Sequence, residues 1–134
     1  MNAPRLQLTS VTIGCPNPRT LVAFYARLLG AEITADDPPR PGETADAGWA
    51  QLRTTGDRGT FTLNFEFERQ WRAPVWPSEP DKQHITQHLD ILVDDLEAAV
   101  AWAEACGATR MAFQPQDDVR VMRDPAGHPF CLYT

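Results

Sequence analysis

The sequence has little cysteine, and its cysteines are not spaced as metal ligands. Cys15, Cys106 and Cys131 are the only three among 134 residues, and they lie far apart. No Cys-x-x-Cys pair occurs, which argues against both a disulfide framework and a structural zinc site of the zinc-finger kind. Free thiols in a reducing compartment are the simplest interpretation.

Long apolar runs and positive charge are also scarce. No apolar stretch approaches the roughly 20 residues that span a bilayer, and residues 1–5 lack the apolar core of a signal peptide. Lys and Arg number 12 against 18 Asp and Glu, a net charge of −6, which argues against nucleic acid or an acidic membrane surface as a partner. We therefore expect a cytoplasmic protein.

Several catalytic motifs are missing as well. The chain has no nucleophile elbow, no phosphate-cradling glycine loop and no His-x-His cluster, so hydrolase and nucleotide-binding functions lack support. Hydrophobic residues make up 43% of the sequence, an ordinary share for a globular protein. Its length suits a single domain with a proper core, over residues 1–134.

What the sequence does contain is a weak internal repeat. Residues 9–13, followed by a helical stretch that ends at Gly30, reappear as residues 87–91 with a helical stretch that ends at Gly107. The repeat divides the chain into a first module (residues 5–69), a connector (70–83) and a second module (84–134). Two like modules that face each other enclose a cleft, which is where ligands bind.

Both halves carry the signals of a βαβββ unit, which predicts an α+β fold of two paired modules. Asn17 caps the first helix and Pro18 occupies its first position, and Asp94 or Asp95 caps the second helix. Prolines make residues 36–45 a loop and exclude regular structure from the connector. The predicted strands are residues 6–14, 31–35, 48–54 and 60–68 in the first module, and 85–93, 110–114, 119–123 and 129–133 in the second.

Alternation along these strands separates an apolar face, which the helices cover, from a polar face. The polar face carries Ser10, Thr12, Gln51, Thr62, Asn64, Glu66, His88, Asp90, Cys131 and Tyr133. Such a face can be solvated, as one side of an antiparallel sheet often is. Alternatively, two sheets that curl toward each other turn it into a concave pocket, and the repeat favours this second interpretation.

Three stretches in order carry a family resemblance: residues 11–30, 88–99 and 124–132. They resemble the vicinal oxygen chelate superfamily, which includes glyoxalase I, extradiol dioxygenases and bleomycin-resistance proteins. The connector, with Trp76 before Pro77, is similar to that of glyoxalase-like proteins common in high-GC bacteria. The resemblance implies two βαβββ modules paired into a half-barrel of curved mixed sheet around a divalent metal, and a homodimer.

The family's metal ligands, carried over by this resemblance, form an incomplete set. The two first-strand positions fall on Ser10 and His88, and the two last-strand positions on Glu66 and Cys131. Ser10 is a poor ligand, whereas a Cys131 thiolate suits zinc. A zinc site of His88, Glu66 and Cys131 is therefore chemically allowed, although unusual for the family, and we expect no metal cofactor.

Each candidate residue also has a simpler interpretation. His88 is either a hydrogen-bonded ligand contact or a metal ligand or general base. Glu66 is either solvated at a rim or a catalytic base opposite His88. Cys131 is more typical of a small core side chain than of a nucleophile.

Tryptophans near the mouth of the expected cleft can stack on a planar ligand. Trp71 and Trp76 can instead pin the connector onto the sheet. The residues expected to contact a ligand are Ser10, Trp49, Gln51, Asn64, Trp76, His88 and Tyr133.

Three functions remain open. The first is a metal-free protein that binds a small, partly aromatic molecule in the cleft between the modules. The alternative is a metal-dependent lyase, isomerase or dioxygenase of the glyoxalase type, with Glu66 as the base and His88 as a metal ligand. The third is a partner module without catalysis.

Overall fold

The computed structural model describes all 134 residues, as two βαβββ units in succession. This order confirms the predicted α+β fold. The strands are β1 (Val11–Cys15), β2 (Glu32–Asp37), β3 (Trp49–Gly56), β4 (Gly59–Phe67), β5 (Asp90–Leu92), β6 (Thr109–Arg110), β7 (Val119–Arg123) and β8 (Pro129–Tyr133), and the helices are α1 (Pro18–Leu29) and α2 (Leu96–Cys106). No helix is long and apolar enough to cross a bilayer.

Local hydrogen bonds fix the ends of both helices, as the sequence predicts. The Asn17 side chain accepts a hydrogen bond from the backbone N–H of Thr20 at 3.1 Å, and Asp95, rather than Asp94, accepts one from that of Ala98 at 3.0 Å. Each cap satisfies an N–H group that the first helical turn leaves free. Both helices end at a glycine with positive φ.

Each module forms its own four-stranded sheet with the same strand order. Sheet A runs β1-β4-β3-β2 and sheet B runs β5-β8-β7-β6, so the first strand of each module lies at a sheet edge. The repeat extends to the register, because Thr12 pairs with Asn64 in sheet A as Asp90 pairs with Cys131 in sheet B. The pair Thr12–Asn64 in sheet A is therefore equivalent in position to the pair Asp90–Cys131 in sheet B.

The modules share one core, although their sheets remain separate. No Cα atom of a strand in sheet A lies within 8 Å of a Cα atom of a strand in sheet B. Contact between modules includes the packing of α1, whose Phe24 and Tyr25 rings lie 6.2 and 6.1 Å from the ring of Phe130 in β8. Within one chain, then, the paired modules have two open sheets and no continuous half-barrel.

Three strands are shorter than their sequence patterns predict. Residues 6–10 and 85–89 have strand-like alternation, yet β1 begins only at Val11 and β5 only at Asp90. Both segments are largely exposed. Neither segment joins the ladder of its sheet. The pairing of β1 with β4 begins at Val11, although β4 extends back to Gly59, and the pairing of β5 with β8 begins at Asp90. The predicted strand at residues 110–114 is likewise reduced to Thr109–Arg110, because Met111 continues into a loop.

Candidate functional site

A row of neutral polar side chains crosses the open face of sheet A. Asn64 Nδ2 donates to Ser10 Oγ at 3.1 Å and to Thr12 Oγ1 at 3.3 Å, and Asn64 Oδ1 accepts from Gln51 Nε2 at 2.8 Å. Thr34 Oγ1 donates to Gln51 Oε1 at 2.7 Å. We call these five residues the polar row. Because it contains neither a carboxylate nor an imidazole, it suits hydrogen bonding to a ligand better than metal binding.

The equivalent positions of sheet B carry ionisable groups. His88 Nε2 lies 3.1 Å from Asp90 Oδ1, and one donor atom each of His88, Asp90 and Cys131 lies within 4.8 Å of the others. We call these three residues the His–Asp–Cys cluster. The side chains of His88 and Asp90 are 40% and 58% exposed, so the cluster is open to an incoming ligand.

Burial and charge keep the cluster's thiol protonated. Burial raises the pKa of Cys131, and the adjacent Asp90 carboxylate raises it further. A thiol is a nucleophile only as its thiolate, so Cys131 is not prepared for covalent catalysis. A bound cation would reverse this preference, since it would neutralise Asp90 and favour the thiolate.

The register separates Glu66 from the other candidate metal ligands. Glu66 is exposed near the end of β4, where it pairs with Gly14 and Trp49. The position in sheet A that matches Cys131 is held by Asn64, two residues earlier. The structure thus brings His88 and Cys131 together, and it adds Asp90 to them rather than Glu66.

Asp90 is the residue that sequence reasoning did not select as a ligand. It follows His88 by two residues in the predicted strand at residues 85–93, and this spacing alone could have indicated it. Among the other candidates, Ser10, Gln51 and Asn64 do meet in the polar row. Tyr133 pairs with Leu92 at the end of β8.

The aromatic residues of the connector pack against the second module. Trp71 Nε1 donates to the carbonyl oxygen of Ala126 at 3.0 Å, and its ring centroid lies 4.5 Å from that of His128. The Trp76 ring lies 5.8 Å from the ring of Phe113. Trp71 therefore holds the connector in place, as the simpler of its two interpretations predicts.

A groove of about 540 Å³ runs along the free edge of β1. Its lining includes residues 11–14 of β1, residues 83–89 before β5, and the side chains of Tyr25 and His128. Of the residues predicted to contact a ligand, only His88 lines it. The groove therefore shares one residue with the polar row, Thr12, and one with the His–Asp–Cys cluster, His88.

Comparison with known proteins identifies the family to which this architecture belongs. The family model of the glyoxalase-like domain matches residues 10–133. The chain belongs to this family. Its structural relatives lie in the vicinal oxygen chelate superfamily, which confirms the resemblance found in the sequence. None of the curated proteins matches the chain by sequence.

Solved structures of glyoxalase-like proteins share the fold at low sequence identity. A glyoxalase family protein from Enterococcus faecalis is 22% identical, with a TM-score of 0.63 over 96% of this chain and 97% of that one. A mutant of the fosfomycin resistance protein FosX from Listeria monocytogenes, complexed with Mn(II) and 1S,2S-dihydroxypropylphosphonic acid, is 12% identical, with a TM-score of 0.68 over 95% and 90%. FosX from Mesorhizobium loti is 12% identical, with a TM-score of 0.64 over 96% and 90%.

The donor atoms of this chain fit some metals better than others. Nitrogen from His88, oxygen from Asp90 and sulfur from Cys131 are together typical ligands of zinc, whereas manganese and magnesium prefer oxygen. Three protein donors on an exposed face leave a fourth position open, as in catalytic rather than structural zinc sites. The cluster thus fits zinc, with His88, Asp90 and Cys131 as its ligands.

Proposed function

We propose that this protein binds a small, partly aromatic molecule without a metal. The binding surface is the open face of sheet B around the His–Asp–Cys cluster, and the polar row occupies the equivalent place on sheet A. The observation that carries the proposal is the equivalence of the two polar groups. Thr12 pairs with Asn64 in one sheet as Asp90 pairs with Cys131 in the other, and Ser10 and His88 each lie two residues before the first member of these pairs.

Polar groups at matched positions suit recognition of a ligand's polar atoms. His88 can donate or accept a hydrogen bond, and Asp90 accepts one. Trp49 lies beside Glu66 in sheet A and Tyr133 ends β8 in sheet B. These rings offer flat surface for an aromatic part of the ligand.

The arrangement favours binding over glyoxalase-type catalysis. Glu66, the base that the sequence suggests, is not a member of the His–Asp–Cys cluster. The Cys131 thiol is held protonated by burial and by Asp90, which raise its pKa. Neither a base at Glu66 nor a thiolate at Cys131 is therefore available beside His88 for catalysis.

A second candidate function rests on the closeness of the three donor atoms. In a zinc-dependent lyase or isomerase, His88, Asp90 and Cys131 would hold the metal. Zinc has no redox chemistry, so this donor set does not suit a dioxygenase. A zinc ion would supply Lewis acidity toward a carbonyl oxygen of the substrate. Glu66 would act as base only if a ligand or another chain brought the two sheets together.

One pair of measurements separates the two functions. The first is elemental analysis of protein purified without chelator and then exposed to zinc, nickel, manganese and iron. Metal-free binding predicts far less than one metal ion per chain, whereas the zinc enzyme predicts one zinc per chain that is lost in His88→Ala and Asp90→Asn. A stoichiometric zinc ion with that dependence would overturn the metal-free proposal.

The second measurement locates the ligand surface with 8-anilinonaphthalene-1-sulfonate, an aromatic sulfonate, as the probe. We expect EDTA to leave the affinity for the dye unchanged. Asp90→Asn and Cys131→Ser should each change that affinity at least about threefold. His84→Ala is the matched control, because His84 lines the groove but not the cluster. Dye binding that responds to His84→Ala alone would place the ligand in the groove and contradict the proposal.

A further inference from the structure

The hydrogen bonds of the polar row all run in one direction across sheet A. Thr34 Oγ1 in β2 donates to Gln51 Oε1, and Gln51 Nε2 donates in turn to Asn64 Oδ1. Asn64 Nδ2 then donates to Ser10 Oγ and Thr12 Oγ1. The row is therefore a directed chain, which begins at one hydroxyl and ends at two hydroxyls on the opposite edge of the sheet.

The lengths of these hydrogen bonds agree with that direction. An O–H···O bond is usually about 2.7–2.8 Å long, and an N–H···O bond about 2.9–3.0 Å. The contact between Thr34 and Gln51 is 2.7 Å, as expected where a hydroxyl is the donor. Asn64 contacts Ser10 and Thr12 at 3.1 and 3.3 Å, both long for a hydroxyl donor. The amide nitrogen of Asn64 is therefore the donor at this end.

The two terminal hydroxyls keep their protons for a ligand. A serine or threonine hydroxyl can accept hydrogen bonds and also donate one. Ser10 and Thr12 both accept from Asn64, and neither hydroxyl donates to a protein atom. Ser10 is half-buried and Thr12 is exposed, so both protons can reach a bound molecule. We propose that Ser10 and Thr12 form a two-donor site for the carbonyl group of a small ligand on sheet A.

The charge around the row favours an uncharged ligand. Glu66 lies two residues beyond Asn64, and Arg53 lies two residues beyond Gln51, on the same face of the sheet. These flanking charges have opposite signs, and the row itself has none. The chain as a whole has a net charge of −6, so an anion gains nothing from the protein's overall field. A carbonyl group therefore fits the two hydroxyls better than a carboxylate or a phosphate.

A flat apolar side chain lies on the same face. Trp49 and Gln51 are two residues apart on β3 and pair with Glu66 and Asn64 on β4, so they share a face. Trp49 is half-buried, and its indole offers flat area to a ring of the ligand. The ligand class is thus an uncharged ketone or ester attached to a ring.

This site is separate from the function proposed above. That function places its ligand around the His–Asp–Cys cluster of sheet B, and within one chain the strands of sheet A do not touch those of sheet B. The carbonyl site goes beyond that function, and each proposal can fail while the other holds.

Titration of amide chemical shifts tests the carbonyl site with two probes of similar size. 1-Indanone carries a carbonyl group, whereas indole has an N–H donor and no carbonyl. We expect 1-indanone to shift the signals of residues 10–12 and 64 and to bind at least about threefold more tightly than indole. Equal affinity for the two probes would overturn the proposal, as would no binding of 1-indanone.

Single substitutions then locate the two donors. Ser10→Ala and Thr12→Val should each weaken 1-indanone binding about two- to tenfold, which is the usual effect of one neutral hydrogen bond. Thr62→Val is the matched control, because Thr62 lies on the same face of β4 as Asn64 but outside the row. A loss of affinity in Thr62→Val as large as in the other two variants would contradict the site.

Gln51→Glu tests the direction of the chain. A carboxylate only accepts hydrogen bonds, so Asn64 must turn its Nδ2 toward residue 51 and its Oδ1 toward Ser10 and Thr12. The two hydroxyls then donate to Asn64 and offer only lone pairs to a ligand. Indole should therefore bind this variant more tightly than 1-indanone does. Thr62→Glu adds the same charge to the same face and should keep the original preference. An unchanged preference in Gln51→Glu would overturn the directed chain.

Thr34 is a positioning residue in this proposal, because it acts on the ligand only through Gln51 and Asn64. Thr34→Val removes the hydroxyl that fixes the direction, so the preference for 1-indanone should fall below about twofold, and Thr34→Ser should restore it. Thr34 is exposed, and the amide spectrum of each variant reports whether the fold is kept. A full preference in folded Thr34→Val would contradict this role. Asp90→Asn should leave 1-indanone binding unchanged, and a loss there would place the ketone on sheet B and overturn the site.

Discussion

The phenolic oxygen of Tyr25 lies 2.7 Å from Oδ2 of Asp124, although 99 residues separate them in the chain. Tyr25 belongs to α1 of the first module and Asp124 to the turn between β7 and β8 of the second. Asp124 Oδ1 also accepts from the backbone N–H groups of Ala126 and His128, at 2.9 and 3.0 Å. The His128 ring adds contacts from Nδ1 to Asp124 at 2.8 Å and from Nε2 to the Gly14 carbonyl oxygen at 2.8 Å. One buried carboxylate thus organises the junction between the modules.

Removal of this carboxylate should destabilise the whole chain. Asp124→Ala leaves the Tyr25 hydroxyl and two backbone N–H groups without an acceptor in a buried site, so we expect a loss of about 3–5 kcal/mol in the free energy of unfolding. Urea denaturation measures it. Asp57→Ala, in the exposed turn between β3 and β4, is the control and should change stability by less than about 0.5 kcal/mol. If Asp124→Ala lost as little stability as Asp57→Ala, the junction would not depend on the carboxylate.

The tyrosine should make the protein sensitive to alkali. Burial raises the pKa of Tyr25 well above its ordinary 10.0, and the charge of Asp124 and the hydrogen bond to it raise it further. The folded state therefore keeps a proton that the unfolded chain releases near pH 10. Its stabilising contribution is complete below that pH and is lost as the pH rises further. The buried thiol of Cys15, whose pKa rises to about 12, acts in the same direction.

Tyr25→Phe separates the two contributions of the hydroxyl. At neutral pH the variant should be less stable by about 1–3 kcal/mol, because Asp124 loses a donor. Between about pH 9 and pH 11 its stability should fall less steeply than that of the unsubstituted protein. Urea midpoints across this range check both effects. Parallel curves would mean that Tyr25 does not contribute to the alkaline loss.

The turn after Asp124 is packed against the connector. Gly127 has φ of 102°, and a Cβ atom placed there would lie 2.6 Å from the Cβ of Ala73. Gly42 has φ of 88° with nothing within 4 Å of such an atom. Alanine at either position carries the backbone cost of positive φ, about 1–2 kcal/mol, but only Gly127→Ala must also displace the connector.

The difference in stability between the Gly127→Ala and Gly42→Ala variants measures the contact between residue 127 and Ala73. We expect Gly127→Ala to destabilise the protein by about 1–3 kcal/mol more than Gly42→Ala, as overpacking of a close contact does. Thermal or urea unfolding of the pair gives the value directly. Equal losses of stability in the two variants would indicate that the connector moves away at Ala73 without a measurable cost.

Local features of this fold could be predicted from the sequence, whereas its register could not. The cap of α1 joins Asn17 to Thr20 within one turn, so the signal and the structure occupy the same few residues. Asn64 and Glu66 lie two positions apart on one strand and share a face. Because side chains alternate with a period of two, a shift of two residues leaves the pattern unchanged. The sequence therefore could not choose between them as the counterpart of Cys131.

Contacts that join distant segments left no local signal either. His128 lies in a turn whose sequence, Asp-Pro-Ala-Gly, is ordinary turn chemistry, yet its ring reaches Gly14 across 114 residues. The expected strand at residues 6–14 has the right alternation, but its pairing with β4 begins only at Val11, and residues 6–10 stay outside the ladder although β4 extends back to Gly59. The sequence specified which segments can pair, and the packing of the two modules decides which do.

The reactivity of Cys131 should respond to the carboxylate beside it. Burial raises the pKa of this thiol, and the charge of Asp90 raises it further, so little thiolate is present at pH 8. Asp90→Asn removes the charge and leaves the burial. The thiol should then ionise more readily, and iodoacetamide should alkylate it about two- to tenfold faster.

Mass spectrometry of the Cys131 peptide over time measures this rate of alkylation. The Cys106 peptide of the same digest is the control, because Cys106 lies outside the His–Asp–Cys cluster. An unchanged or slower rate in Asp90→Asn would mean that Asp90 does not act on the thiol, and that the three side chains do not behave as one electrostatic unit.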